Sequence, residues 1–250
     1  MTGQRPHQQR QRRAHPQARK RDEQQGQTES QHDPQARGSA ITRRTANPAQ
    51  PREECRRHYP ELPDHDAILE PDIIASADDL GVLPDRSEDF LIACHLLEHM
   101  PDPIGTLKGW YRVLRPGGLV FLVLPDKRHT FDRPRSRTPL AHLIEDHRQP
   151  SGSPERDRRD FAAYREWVQI AKSLRTEAQI DFWADLLQRA RYSIHFHCWI
   201  PEDVRELVEY LARQEGTPFE IVREGRFKDG WEFGFLLRRV EATPAGGSQA

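Results

Sequence analysis

The sequence lacks the features that mark several common classes of protein. Its three cysteines, Cys55, Cys94 and Cys198, are far apart and form no Cys-x-x-Cys pair, which excludes a zinc ribbon and a dithiol redox motif. No apolar run approaches the roughly 20 residues of a membrane-spanning helix, and the basic N-terminus has no apolar segment typical of a secretory signal. No Gly-x-Gly-x-x-Gly motif supports a nicotinamide-dependent dehydrogenase. We therefore predict a reduced, cytoplasmic protein without a membrane segment.

Apolar residues are also scarce in the first 50 positions. Residues 1–50 hold ten Lys or Arg, four Asp or Glu and eleven Gln, with no aromatic residue. Such a segment cannot bury enough apolar area to offset the entropy lost on ordering. We predict a disordered basic Gln/Arg-rich tail over residues 1–54 and a second disordered tail over 241–250. The basic tail is a nucleic-acid-binding arm, a solvated tail or the product of a shifted reading frame, and nucleic acid is not the partner that we expect.

The middle of the chain predicts a strand, a helix and a second strand in close succession. Phe90–Cys94 and Leu119–Leu124 are short apolar runs typical of strands that are buried on both faces. Between them, apolar residues recur at helical spacing after Asp102, which can cap a helix, and Pro103, which suits its first position. The run Arg115-Pro116-Gly117-Gly118 is expected to end that helix and turn the chain. These elements predict a right-handed crossover in a parallel sheet.

Three linked motifs in this region resemble class I S-adenosylmethionine-dependent methyltransferases, around the fourth and fifth strands of that family. They read Leu96-Leu97-Glu98-His99, Asp102-Pro103, and Val113-Leu114-Arg115-Pro116-Gly117-Gly118 leading into a strand. The resemblance covers about residues 55–240 and implies an α/β, Rossmann-like sheet. It also implies S-adenosyl-L-methionine as the cofactor and a small-molecule methyl acceptor, which the sequence does not identify.

The most diagnostic part of that family is missing from the sequence. Nothing before residue 72 resembles a first strand with a glycine-rich loop, or a second strand ending in the acid that binds the ribose. The resemblance therefore implies an N-terminally incomplete sheet in which Phe90–Cys94 lacks its usual neighbour, and an apolar sheet edge favours association. We expect the carboxyl-terminal portion of a methyltransferase behind a foreign or frame-shifted leader, with weak or no cofactor binding.

Candidate cofactor contacts follow two of the predicted strands. Asp79 and Leu80 follow the strand candidate Pro71–Ala75, where the resemblance implies an acidic and an apolar residue against the adenine. A turn residue is the alternative role for Asp79. Cys94 and His95 lie at the end of the fourth strand, and ligands of open α/β sheets bind beyond the carboxyl ends of the strands.

Candidate acceptor contacts follow the next strand. The loop after Leu124 holds Asp126, Lys127, Arg128 and His129, which mix carboxylate, cation and imidazole. Methyl transfer mainly needs the acceptor held in line with the methyl group, while Asp126 or His129 can remove a proton from it. We predict Asp126 and His129 as catalytic residues and Lys127 and Arg128 as substrate contacts. A solvated loop with local ion pairs is the alternative.

Other histidines allow more than one role. His195 and His197 alternate with apolar residues in a strand-like or extended segment, and we predict that they contact the acceptor. They could instead hold zinc with a carboxylate of the Asp126–Asp132 loop, but our prediction is that no metal binds. Helix capping or surface packing is the alternative role for Glu98 and His99, and it is the role that we expect for His99.

The remaining elements complete the predicted domain. Residues 133–191 form an insertion of three helices, which in the resembled enzymes often covers the active site and selects the acceptor. Phe219–Val222 and Trp231–Leu237 predict an antiparallel hairpin at the edge of the sheet. The prediction is thus a partial methyltransferase-like domain over residues 55–240. The alternative function is a non-catalytic binding module with the same fold, and the oligomeric state stays open.

Overall fold

The structure is a computed structural model that describes residues 38–41 and 73–241, without the side chains of 38–41, Ile74 and Lys228. Most of the predicted tails lie outside these residues. So does the segment before residue 72, for which we predict no glycine-rich loop. Strand β1 (Gly38–Ile41) falls in the segment whose composition predicts disorder. It pairs antiparallel with β2 (Ile73–Ser76), the strand expected near Pro71–Ala75.

The main sheet has four strands in the spatial order β3-β4-β6-β5. They are β3 (Glu88–Cys94), β4 (Leu114–Pro125), β5 (Phe219–Phe227) and β6 (Glu232–Arg239). Strands β3 and β4 run parallel, with Phe90 opposite Leu119 and Cys94 opposite Val123. Strand β6 runs antiparallel to both β4 and β5. This arrangement confirms the Rossmann-like sheet and the carboxyl-terminal antiparallel hairpin.

Helix α1 (Pro103–Val113) makes the crossover between β3 and β4, after a short 3-10 turn at Leu97–His99. Its predicted cap is confirmed, since Asp102 Oδ1 accepts a hydrogen bond from the Gly105 N–H at 2.8 Å. The helix ends at Val113 just before the run 115–118, as expected, and these residues form an irregularity within β4, since Glu88 pairs with Leu114 and Phe90 with Leu119. A glycine is needed there: a β-carbon on Gly118 would lie 2.8 Å from the carbonyl oxygen of Arg115.

Four further helices follow β4 along the chain. They are α2 (Leu140–Arg148), α3 (Pro154–Ala171), α4 (Glu177–Arg189) and α5 (Pro201–Gln214). The first three form the predicted helical insertion. Helices α3 and α4 share an apolar cluster with the extended segment before α5, built on Tyr164, Trp167, Val168, Ala184, Leu187, Ile194 and Phe196. Among the residues that the structure describes, no helix is long and apolar enough to cross a bilayer.

One face of the sheet forms the main core, and on the other face the apolar side chains of β3 are exposed to water. Leu107 of α1 and Leu207 of α5 are fully buried in one cluster with the β4 residue Leu122. On the opposite face, the side chains of Phe90 and Ile92 are 61% and 64% exposed. The expectation that β3 is buried on both faces is therefore wrong for the described part of the chain. An apolar run predicts a strand well, but it does not show which neighbours cover it.

We expect the open face to promote association of the chain. Replacing Phe90 and Ile92 together by Thr should weaken concentration-dependent association, since threonine suits a strand and removes most of the exposed apolar area. The free energy of unfolding should change by less than about 0.5 kcal/mol, because both side chains are largely exposed. Sedimentation velocity over a concentration series measures the effect. Val82→Thr, at another exposed apolar side chain, is the control. A wild-type protein that stays monomeric over the whole concentration series would contradict the prediction.

Candidate functional site

The candidate site lies where β3 and β4 end, at one edge of the sheet. His95 follows β3, and its N–H donates to the Val123 carbonyl oxygen at 3.0 Å. Asp126 follows β4, and its N–H donates to the Trp231 carbonyl oxygen at 2.8 Å. Because β6 is antiparallel to β4, its first residue, Glu232, reaches the same edge. The carboxyl ends of two parallel strands and the start of β6 thus bring ionisable side chains together.

His95 is held between two carboxylates at this edge. Its Nε2 lies 2.8 Å from Oε1 of Glu232, and its Nδ1 lies 3.5 Å from Oε1 of Glu98. Contact with Glu98, and then with Glu232, raises the pKa of the His95 imidazole, although burial acts in the opposite direction. Its backbone has φ 51°, a left-handed conformation that is uncommon for a residue with a side chain. Strain of this kind often occurs where a chain is held in place for a function.

The other predicted cofactor contacts have different surroundings. Cys94 is exposed as a residue, but its thiol is partly shielded from water, and this shielding, with the charges of Glu232 and Glu98, raises the pKa of the thiol. Asp79 is exposed, and its Oδ1 accepts a hydrogen bond from the Gly81 N–H at 3.2 Å, as in the alternative turn role. Leu80 is buried in the main core and is only 6% exposed. Of the four predicted contacts, Cys94 and His95 are the pair at the strand ends.

Asp126 is fully buried and paired with two guanidinium groups. It accepts hydrogen bonds from Arg128 Nε at 2.8 Å and from Arg226 Nη1 at 3.0 Å. Burial alone would raise the pKa of Asp126, but hydrogen bonds from Arg128 and Arg226 outweigh it and hold this pKa below its ordinary value. An ionised carboxylate whose oxygens are engaged in this way is well suited to fixing the loop. Its predicted role as a proton acceptor stays a prediction.

The rest of the predicted acceptor loop divides between buried and exposed side chains. Lys127 is largely buried and its Nζ donates to the Arg133 carbonyl oxygen at 3.2 Å. The side chains of Arg128 and His129 reach the surface. The loop is tied to the insertion through Arg135, whose Nη2 lies 3.0 Å from Oε2 of Glu166 on α3. The exposed members of this loop are therefore the ones that an acceptor could contact first.

The two predicted acceptor histidines lie in separate clusters. His195 Nδ1 is 2.6 Å from Oδ2 of the buried Asp132. His197 is buried, stacks on Trp199 with ring centroids 5.4 Å apart, and points Nε2 at the Pro101 carbonyl oxygen at 3.3 Å. Burial lowers the pKa of His197 to about 3, so this ring is neutral near neutral pH. The alternative in which both histidines share one zinc ion is not supported by this placement.

Sequence reasoning missed the carboxylates that surround these histidines. Glu98 is 1% exposed, so the alternative of surface packing is not supported for it. Its spacing of three residues from His95 was a local signal that the two could meet. Glu232 and Asp132 contact histidines far away in the chain, and no local spacing indicates those contacts.

A separate cavity lies between the start of α1 and the insertion. Its volume is about 400 Å³, which is within the range of small-ligand pockets. Its lining mixes acidic and basic side chains, among them Asp78, Asp102, Arg156 and Arg191. A polar ligand would suit these walls better than an apolar one.

Comparison with known families identifies the segment that carries the strand ends. A family described as "Methyltransferase domain" matches residues 47–122, which include β3, α1 and most of β4. The matched segment thus contains the parallel pair and His95. Residues 47–122 are similar to a methyltransferase domain. Enzymes of this family use S-adenosylmethionine as the usual methyl donor. The match covers less than a third of the 250 residues, and no curated protein matches the chain.

Several solved structures show distant likeness to this chain. A Pyrococcus horikoshii protein has 15% identity and a TM-score of 0.41, with 75% of this chain and 66% of that chain covered. A Methanosarcina mazei SAM-dependent methyltransferase has 16% identity and a TM-score of 0.38, with 75% and 78% covered. A possible histamine N-methyltransferase from Thermotoga maritima has 16% identity and a TM-score of 0.34, with 66% and 62% covered. Likeness at this level has no bearing on substrate.

Proposed function

We propose that this protein binds S-adenosylmethionine at the edge where β3 and β4 end and transfers its methyl group to an acceptor beside the Asp126–Asp132 loop. The observation that carries the proposal is the parallel pairing of β3 and β4 within the segment that matches a methyltransferase domain. Ligands of open α/β sheets bind beyond the carboxyl ends of such strands. Here those ends present His95, Glu98 and Glu232.

The charges at this edge suit the methyl donor. The cofactor has a sulfonium and an ammonium group, and the carboxylates of Glu98 and Glu232 lie on either side of His95. When bound, the cofactor supplies an electrophilic methyl group. The protein's task is then to orient the acceptor, with the exposed Arg128 and His129 as the proposed contacts. His129 is the proposed proton acceptor, because the oxygens of Asp126 are engaged by two arginines.

Titration calorimetry with S-adenosylhomocysteine tests the proposal. We expect saturable binding in the millimolar range, weak because the described residues supply only the strand ends β3 and β4 of the family's site. His95→Ala should weaken binding about tenfold, since it removes the group that links Glu98 to Glu232. Arg213→Ala, at an exposed ion pair on α5, should leave the dissociation constant unchanged. Heat absent at millimolar ligand would contradict the proposal and favour the non-catalytic binding module.

Partners and location remain predictions beyond this point. The acceptor of a methyltransferase-family protein is a small molecule or a macromolecule, and we propose a small molecule. The basic segment 1–54, on which nucleic-acid binding would depend, lies almost wholly outside the described residues. A cytoplasmic location also stays a prediction.

A further inference from the structure

A buried carboxylate without a hydrogen-bond donor stands out beside the strand ends. Glu98 is 1% exposed, and within the described part of the chain neither of its carboxylate oxygens has a hydrogen-bond partner. Nδ1 of His95 lies 3.5 Å from Oε1 of Glu98, which is too long for an ordinary hydrogen bond. A buried charged group normally has a paired charge or a bound ion, because leaving water is otherwise very costly. His95 gives Glu98 one ion-pair contact at this distance, and a bound cation would supply the close partner that its oxygens lack.

Two imidazoles complete a set of metal-ligand atoms around this carboxylate. Glu98, His99 and His195 each offer one ligand atom, and these atoms lie within 4.8 Å of one another. The rings of His99 and His195 meet edge to face, with centroids 4.7 Å apart. Donors around a tetrahedral zinc ion are about 3.4 Å apart, so a small rotation of the rings brings the three donors into place.

The hydrogen bonds of both histidines fix the tautomer that binds a metal. Nδ1 of His99 lies 2.9 Å from the Ile194 carbonyl oxygen and 3.0 Å from Ser193 Oγ, and a proton on Nδ1 suits both because the carbonyl can only accept and the hydroxyl can also accept. Nδ1 of His195 lies 2.6 Å from Oδ2 of Asp132. Asp132 in turn pairs with Arg135 Nη1 at 2.9 Å. Metal-binding histidines usually donate their second nitrogen to a carbonyl or carboxylate in this way, which leaves Nε2 as the ligand atom.

We propose that Glu98, His99 and His195 form a binding site for a divalent transition-metal ion, with zinc as the best match. Two imidazole nitrogens and one carboxylate oxygen suit zinc and its neighbours, whereas calcium and magnesium prefer oxygen ligands alone. Three protein ligands leave a fourth position for water or another oxygen ligand. The site revises our sequence-based prediction that no metal binds. The site shares Glu98 with the proposed cofactor edge, but titration with the metal alone tests it separately from methyl transfer.

A second cluster of the same residue types provides a comparison within the chain. His142, Asp146 and His197 also lie close together. There the carboxylate is already satisfied, since Asp146 Oδ1 accepts from Arg159 Nε at 2.6 Å and Oδ2 lies 3.1 Å from His142 Nε2. We expect no tight metal binding at this cluster.

Metal titration of the full chain tests the proposal. Protein stripped with a chelator is titrated with Zn²⁺ by calorimetry and with Co²⁺ by visible absorption. We expect one tight equivalent of zinc and a cobalt spectrum typical of nitrogen and oxygen ligands. Glu98→Gln and His195→Asn should each raise the dissociation constant of this tight zinc site at least about hundredfold. His142→Ala should leave it unchanged. Asp132→Asn should raise it about tenfold, as removal of a histidine's carboxylate partner usually does.

Two controls keep the outcome clear. Five histidines and Cys55 precede residue 72 and are alternative metal ligands, so the test is the difference between wild type and Glu98→Gln in the same full-length chain. Circular dichroism checks that each variant folds, and His99→Asn replaces any variant that does not. Zinc should raise the melting temperature of the wild type but not of Glu98→Gln.

The proposal is overturned if the wild type binds neither ion, if Glu98→Gln binds as tightly as wild type, or if cobalt shows a thiolate charge-transfer band.

Discussion

Arg135→Met should destabilise the fold by about 3–5 kcal/mol, the cost typical of removing one partner from a buried ion pair. Arg135 is 5% exposed, and its guanidinium joins three parts of the chain. It donates to Asp132 at 2.9 Å, to Glu166 on α3 at 3.0 Å and to the His195 carbonyl oxygen at 2.7 Å. Methionine fills a similar volume but leaves the carboxylate of Asp132 buried with one partner fewer. Urea denaturation measures the loss as a lower midpoint with an unchanged slope.

An exposed arginine on the same insertion provides the control. Arg189 pairs with Asp185 on the surface of α4, with the Nε and Oδ1 atoms 2.9 Å apart and both side chains largely in water. Arg189→Ala should cost less than about 0.5 kcal/mol. Equal losses in the two variants would show that Arg135 does not hold the insertion to the loop after β4 as described.

Gly234→Ala should cost about 1–3 kcal/mol, because the middle of β6 has no room for a methyl group. A β-carbon at this position would lie 2.8 Å from the Leu122 carbonyl oxygen and 2.7 Å from Cε2 of Phe227. The ring of Phe227 can move, but the carbonyl oxygen belongs to the β4 backbone and cannot. Thermal or urea unfolding of the variant measures the loss.

The matched control for this change is the glycine directly opposite in the sheet. Gly225 of β5 pairs with Gly234, but a β-carbon on Gly225 would come no closer than 4.0 Å to another residue. Gly225→Ala should therefore be neutral or slightly stabilising, since alanine loses less backbone entropy on folding. If the two alanine variants were equally stable, the close approach of β6 to β4 would be contradicted.

The parts of the fold that depend on residues close together in the sequence could be predicted from it. The parallel pair β3 and β4, the cap at Asp102 and the proline at the start of α1 follow from local apolar spacing and from groups within one turn. The helices of the insertion and the hairpin of β5 and β6 are also confirmed. Their ends differ by a few residues, because hydrogen bonds to neighbouring strands lengthen a strand beyond its apolar run.

The parts that depend on distant residues could not be predicted in this way. Whether Phe90 and Ile92 are covered depends on which elements pack over that face. The apolar run of β3 would read the same whether that face were buried or exposed. Likewise, Glu98 looks like a surface residue of a short helix until the segment with His195, about a hundred positions later, is placed beside it. Arg135 had no sequence signal at all, since its partners come from α3 and the segment before α5.

A crystal structure with S-adenosylhomocysteine bound tests the central claim most directly. The claim is that β3 and β4 end side by side at the site of a methyl donor. We predict that the ligand lies against Cys94 and His95, with β3 and β4 adjacent and parallel. Ligand density at another part of the molecule, or strands that are separate or antiparallel, would contradict the assignment.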